Sequence, residues 1–133
     1  VGFPEEARKV YCFGFDWLGR IFALDERRLV EGQPGVIMFE PGTGEALEIP
    51  ANLISFHEHE LHVADDAALA SSFYNKWITG GGTPPSPAQC IGYKNPLFLG
   101  GDDETYNLEL SDMSVYWTVM GGLIAHIRGF PLP

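Results

Sequence analysis

Along the chain the spacing of apolar and polar positions changes several times, and each change predicts an element. Val10 to Phe15 and Arg20 to Leu24 are apolar, aromatic runs on either side of Asp16-Trp17-Leu18-Gly19, which predicts a β-hairpin with a glycine in its turn. Val36 to Phe39 and Ala46 to Ile49 flank Pro41-Gly42-Thr43-Gly44 and predict a second hairpin. Gly32-Gln33-Pro34-Gly35 separates the two, and the four strands are expected to form one antiparallel meander. Pro50 is expected to end the strand region.

Beyond it the period becomes helical. Leu53, Phe56 and Leu61 begin one helix, and Asp65 or Asp66 is placed to cap a second. In that second helix Leu69, Phe73, Trp77 and Ile78 form the apolar stripe. Gly80-Gly81-Gly82 stops it, and Pro84, Pro85 and Pro87 make a loop. Cys90 to Tyr93 and Pro96 to Leu99 read as late strands, with Asn107 to Leu110 a further short one. Ser111 then reads as a helix N-cap with Asp112 in the first turn, ahead of a stripe that runs from Met113 through Tyr116, Met120 and Ile124 to Ile127. Gly121-Gly122 should weaken or bend that helix. Strands, helices, late strands and a last helix make an α+β fold: two N-terminal hairpins as a meander, short late strands, and two or three helices packed on them.

Length adds that residues 1–133 make one domain. A hydrophobic fraction of 45% against 20% charged excludes a disordered chain. No run approaches the roughly 20 apolar residues of a spanning helix, so no membrane contact is expected. Sixteen glycines and ten prolines between the apolar runs argue against a helical bundle.

Charge changes the picture more. Eight Lys and Arg against 18 Asp and Glu give a net charge of −10, and no Lys or Arg lies between Arg28 and Lys76. A field of that sign repels phosphate, so direct nucleic-acid binding is not expected. It suits a soluble surface, or one steered toward a basic protein partner. Cys12 and Cys90 are too few and too far apart for a disulfide framework or a zinc ribbon, and their apolar settings predict buried thiols in a reducing compartment.

Candidate chemistry is sparse. His57-Glu58-His59-Glu60-Leu61-His62 is the densest group of ligand-type residues, but the positions four after His57 and His59 are Leu61 and Val63, so the zincin spacing fails. His59 and His62 could still share a helix face, which leaves a metal-binding domain or enzyme using His57, His59 and His62 as an alternative. Pro41-Gly42-Thr43-Gly44 lacks the lysine and following helix of a phosphate loop. No nucleophile-elbow pattern is present, so no catalytic residue and no enzyme activity are expected. Two features fit partner binding. Trp17, beside Asp16, falls in a turn where an exposed aromatic could anchor a partner. Gly100-Gly101-Asp102-Asp103-Glu104 joins a glycine hinge to three successive acids, which could enter a basic groove.

Four segments together carry a resemblance: Phe15-Asp16-Trp17-Leu18-Gly19-Arg20-Ile21-Phe22-Ala23; Glu40-Pro41-Gly42-Thr43-Gly44-Glu45; Cys90-Ile91-Gly92-Tyr93-Lys94-Asn95-Pro96-Leu97-Phe98-Leu99-Gly100-Gly101; and Asp112-Met113-Ser114-Val115-Tyr116-Trp117. From about Tyr11 to Ile127 the chain resembles the C-terminal domain of bacterial immunity proteins that protect cells from type VI secreted DNase effectors. That family was long catalogued as a domain of unknown function, with a more distant likeness to the SUKH immunity superfamily. The resemblance implies a cytoplasmic, non-catalytic inhibitor that occludes a cognate nuclease toxin, without a cofactor. Proteins of this type often carry another domain ahead of this one. With the Val start, this leads to the expectation that the chain is the C-terminal part of a longer parent. A structural module that docks on another domain of that parent is the remaining alternative. The residues expected to contact the partner are Asp102, Asp103 and Glu104, then Trp17 and Asp16.

Overall fold

The computed structural model describes residues 10–63 and 68–129. Strands β1 (Val10–Phe15), β2 (Ile21–Val30), β3 (Gln33–Glu40) and β4 (Glu45–Asn52) form the expected antiparallel meander in the order β1-β2-β3-β4. The first turn closes on its own acid: Asp16 Oδ1 accepts from the Leu18 and Arg20 amides at 3.1 Å each, and Gly19 takes φ +76°. The link between the hairpins is shorter than the sequence suggests. Val30 pairs with Gln33 across a two-residue turn, Glu31 and Gly32, both at positive φ, as the twist of a tight hairpin requires. Gln33, Pro34 and Gly35 therefore belong to β3 and not to a separator. Pro50 does not end the strand either. β4 lies on the sheet edge and runs on to Asn52, and an edge strand tolerates the missing donor.

The central strands are apolar without alternation because both faces are covered. Phe22, Val36 and Met38 point to one face and pack with Phe56. Ala23, Ile37 and Phe39 point to the other and pack with Ile124 and Trp117. On the first face lies α1, which begins as Leu53–Ser55, passes through a π-helical turn at Phe56–Glu60 and continues as Leu61–Val63. Asn52 and Ser55 start it with a reciprocal capping box, each side chain accepting from the other's amide at 2.9 Å. Asp65 and Asp66 lie outside the described residues.

Helix α2 (Ser71–Thr79) stops at the glycine triplet, where the amides of Gly80, Gly81 and Gly82 bond back to Lys76, Ile78 and Trp77. A separate two-stranded hairpin follows, β5 (Gln89–Tyr93) with β6 (Leu108–Asp112). Pro96–Leu99 is not a strand. β6 already pairs with β5, and Leu97–Leu99 coils into a 3-10 turn closed by Gly100 at φ +90°. Helix α3 (Met113–Arg128) is capped by Asp112, whose carboxylate accepts from the Val115 amide at 3.0 Å, while Ser111 remains in β6. It continues helical through Gly121-Gly122, and Gly121 is buried. Trp117 Nε1 donates to Gly19 O and the Tyr93 amide donates to Tyr116 Oη, so α3 ties the first turn to β5. Of the two thiols, Cys90 is buried and Cys12 is exposed on the edge strand β1, contrary to the expectation that both are covered. Among the described residues no helix is long and apolar enough to cross a membrane.

Candidate functional site

Asp102, Asp103 and Glu104 are all exposed on the loop that leads into β6. The loop is held rather than hinged. Asn107, itself buried, accepts from the Asn95 amide at 3.0 Å and donates to Asn95 O at 2.9 Å and Asp102 O at 2.8 Å. The Gly101 amide bonds to Pro96 O at 3.0 Å, and a Cβ on Gly101 would stand 1.9 Å from Asn95 O. Glycine is needed there for close approach of two backbones. Two tyrosines orient the acids: Tyr93 Oη donates to Asp103 Oδ1 at 2.7 Å, and Tyr106 Oη donates to Asp102. Burial first, and then the bond to Asp103, raises the Tyr93 hydroxyl above its ordinary range. Tyr106 is 66% exposed and, with Trp77 and the glycine triplet, lines a shallow cleft of about 350 Å³ beside the acids.

The first turn is placed differently. The Asp16 side chain is 4% exposed, and its Oδ2 receives Arg20 Nε at 2.7 Å and Nη2 at 2.5 Å. Arg20 Nη2 also donates to Ala68 O. Burial pushes the Asp16 carboxyl above its usual range, opposed by the charge and hydrogen bonds of Arg20. Trp17 folds against α2. Its Nε1 donates to Leu69 O at 2.8 Å, and its ring meets Phe73 and Tyr74 edge-on at 5.7 and 5.1 Å. One side of Trp17 still lines a surface cleft of about 400 Å³ with Tyr74, Asn75 and Pro85. The Asp16 carboxylate is thus turned into the fold, whereas Asp102, Asp103 and Glu104 are exposed.

A larger cleft, about 450 Å³, opens between the sheet and α2. Met38 and Leu47 from the sheet and Phe73 from α2 form apolar walls, while Glu40, Glu45 and Asp103 bring carboxyl groups to it. Glu40 is the group that sequence reading missed. Its Oε1 accepts from the Gly42 amide at 2.8 Å, and its Oε2 stands 3.8 Å from Arg20 Nε, beyond a hydrogen bond. Burial pushes its carboxyl up to about 7; the Gly42 bond and the Arg20 charge oppose the rise, and the charges of Asp16 and Asp103 add to it. The available signal was a lone acid closing an otherwise apolar strand, matched by Arg20 opening the neighbouring one.

His57, His59 and His62 all lie on α1. His57 Nδ1 is 2.8 Å from Leu53 O, and its ring lies against Phe13 and Phe56. Among the described residues no three of His, Cys, Asp and Glu converge as a metal site. In comparisons with known proteins, no family model and no curated protein matches this chain.

Proposed function

We propose that this chain is a non-catalytic, cytoplasmic binding module that occludes a basic protein partner, of the kind its resemblance to type VI DNase immunity domains implies. The observation that carries the reading is the acidic loop. Asp102, Asp103 and Glu104 are exposed, yet their backbone and two of their carboxylates are already fixed by Asn107, Tyr93 and Tyr106. A loop ordered before contact loses little entropy on binding, and its charge steers a basic partner toward it. Exposed Tyr106 beside the acids supplies a flat face over which a guanidinium can lie. Within the partner, a surface built to hold phosphate is the complementary one.

Calorimetric titration against the nuclease toxin encoded beside its gene, at low and moderate salt, tests the reading. Tight binding that weakens as salt rises is expected. Absence of binding at both salts would overturn it.

A further inference from the structure

The 450 Å³ cleft is adjacent to the acidic loop and shares Asp103 with it. Its charge is unbalanced. Glu40, Glu45 and Asp103 line it against Arg20 and Lys76, and Arg20 is already neutralised by Asp16 at 2.5 Å. Lys76 is exposed, and no carboxylate among the described residues lies within ion-pair distance of it. An anion would thus meet one free cation and three carboxyl groups. A cation is attracted by the three carboxyl groups and repelled by one lysine.

Glu40 makes the argument specific. Its side chain is 10% exposed, and no donor among the described residues reaches Oε2. Oε2 is not sealed from solvent, and a cationic donor that replaces water there forms a charge-assisted hydrogen bond. Met38, Leu47 and Phe73 offer apolar walls to a methylene chain, the usual setting for a long basic side chain whose head is polar. We propose that this cleft takes a lysine or arginine side chain of the basic partner, its charged head on Glu40 Oε2, Asp103 and Glu45 and its stem against Met38, Leu47 and Phe73. The assignment rests on the docking reading above and names where one basic residue of that partner goes.

Capture should depend on pH. The groups that face Glu40 are Arg20 and Asp16 from the first turn, Glu45 from β4, Lys76 from α2, Tyr93 from β5, Asp103 from its loop and Tyr116 from α3. Among the described residues no histidine lines the cleft. With Glu40 near 7, its ionised share goes from about a tenth at pH 6 to about nine tenths at pH 8.

The test titrates the whole chain with Nα-acetyl-arginine amide, read by amide chemical shifts, with Nα-acetyl-norleucine amide as the uncharged control. Shifts are expected at Gly42, Thr43 and Tyr93 with the arginine probe, and its affinity should rise roughly 5- to 10-fold from pH 6 to pH 8. Glu40→Gln, which keeps an acceptor for the Gly42 amide, should abolish that rise. Leu47→Lys, at an exposed position on the cleft rim, should block the probe with the chain's own cation. Equal response to norleucine, no response at these amides, or an undiminished pH rise in Glu40→Gln would overturn the proposal. Wild-type toxin binding that Glu40→Gln leaves unchanged would also overturn it while leaving the docking reading intact. Failure of toxin binding at both salts would instead remove the partner, whereas the arginine probe reads the cleft alone.

Discussion

At Glu40 a carboxyl group sits where burial favours its neutral form, and this has a consequence for stability. Its folded value, about 7, lies above the ordinary 4.5, so the native state holds this proton more tightly than the unfolded chain does. Stability from this group is fully present below about pH 4.5 and is lost as pH rises through 7. Asp16, also raised by burial, acts with the same sign. Asp25 acts with the opposite sign. Hydrogen bonds from Arg27 lower its carboxyl, so its contribution is lost as pH falls. Glu40→Gln is expected to flatten the decline in Tm between pH 5 and 8, an effect of at most about 3 kcal/mol from the size of the displacement. A Tm profile parallel to wild type would place the proton elsewhere. Gly101 is the other residue with a sharp expectation. A Cβ there would stand 1.9 Å from a backbone oxygen, so Gly101→Ala should cost about 1–3 kcal/mol. Its mark should be local: faster amide exchange at Asn95 and Asn107, the residues that pin the acidic loop.

Among the elements, the start of α3 gives the cleanest test. Asp112, and not Ser111, accepts the Val115 amide, so Asp112→Ala should lower stability by about 1 kcal/mol. Ser111→Ala should stay within about 0.5 kcal/mol, and thermal melts of the pair decide between the two caps. The one-residue error has a physical source, since Ser-Asp offers two capping side chains in succession and only backbone geometry selects one. Similar limits explain the rest. The two hairpins were legible because apolar runs flank turns with glycine at positive φ, as at Gly19 and Gly44. Pro96–Leu99 was misread because apolar composition over four residues suits a strand or a tight turn equally, and only a pairing partner makes it a strand. Pro50 misled because edge position is a property of the sheet. At the candidate surface, the exposure of Asp102–Glu104 was legible from three adjacent acids, whereas the burial of Asp16 was not. That depends on Arg20 closing over it from four residues on, with Ala68 O behind.

For the whole molecule, two features bear on docking: a net charge of −10 and one preordered acidic loop. On the proposed docking reading, the overall field accelerates encounter with a basic partner, while the loop sets where the contact forms. These two contributions separate kinetically. Reversing Asp102 and Glu104 to lysine changes the loop by four charges, and leaves the Tyr93–Asp103 bond in place. Association should slow by about tenfold or more at low salt, and its salt dependence should weaken. Reversing two exposed acids outside the loop, Glu26 in β2 and Glu31 in the β2–β3 turn, makes the same change in net charge. It should slow association less, because screening over about 8–10 Å confines strong steering to the contact region. Stopped-flow association with the toxin domain at two salts distinguishes these cases. Equal slowing by both pairs would mean that the acidic field acts as a whole and the loop has no special part in docking.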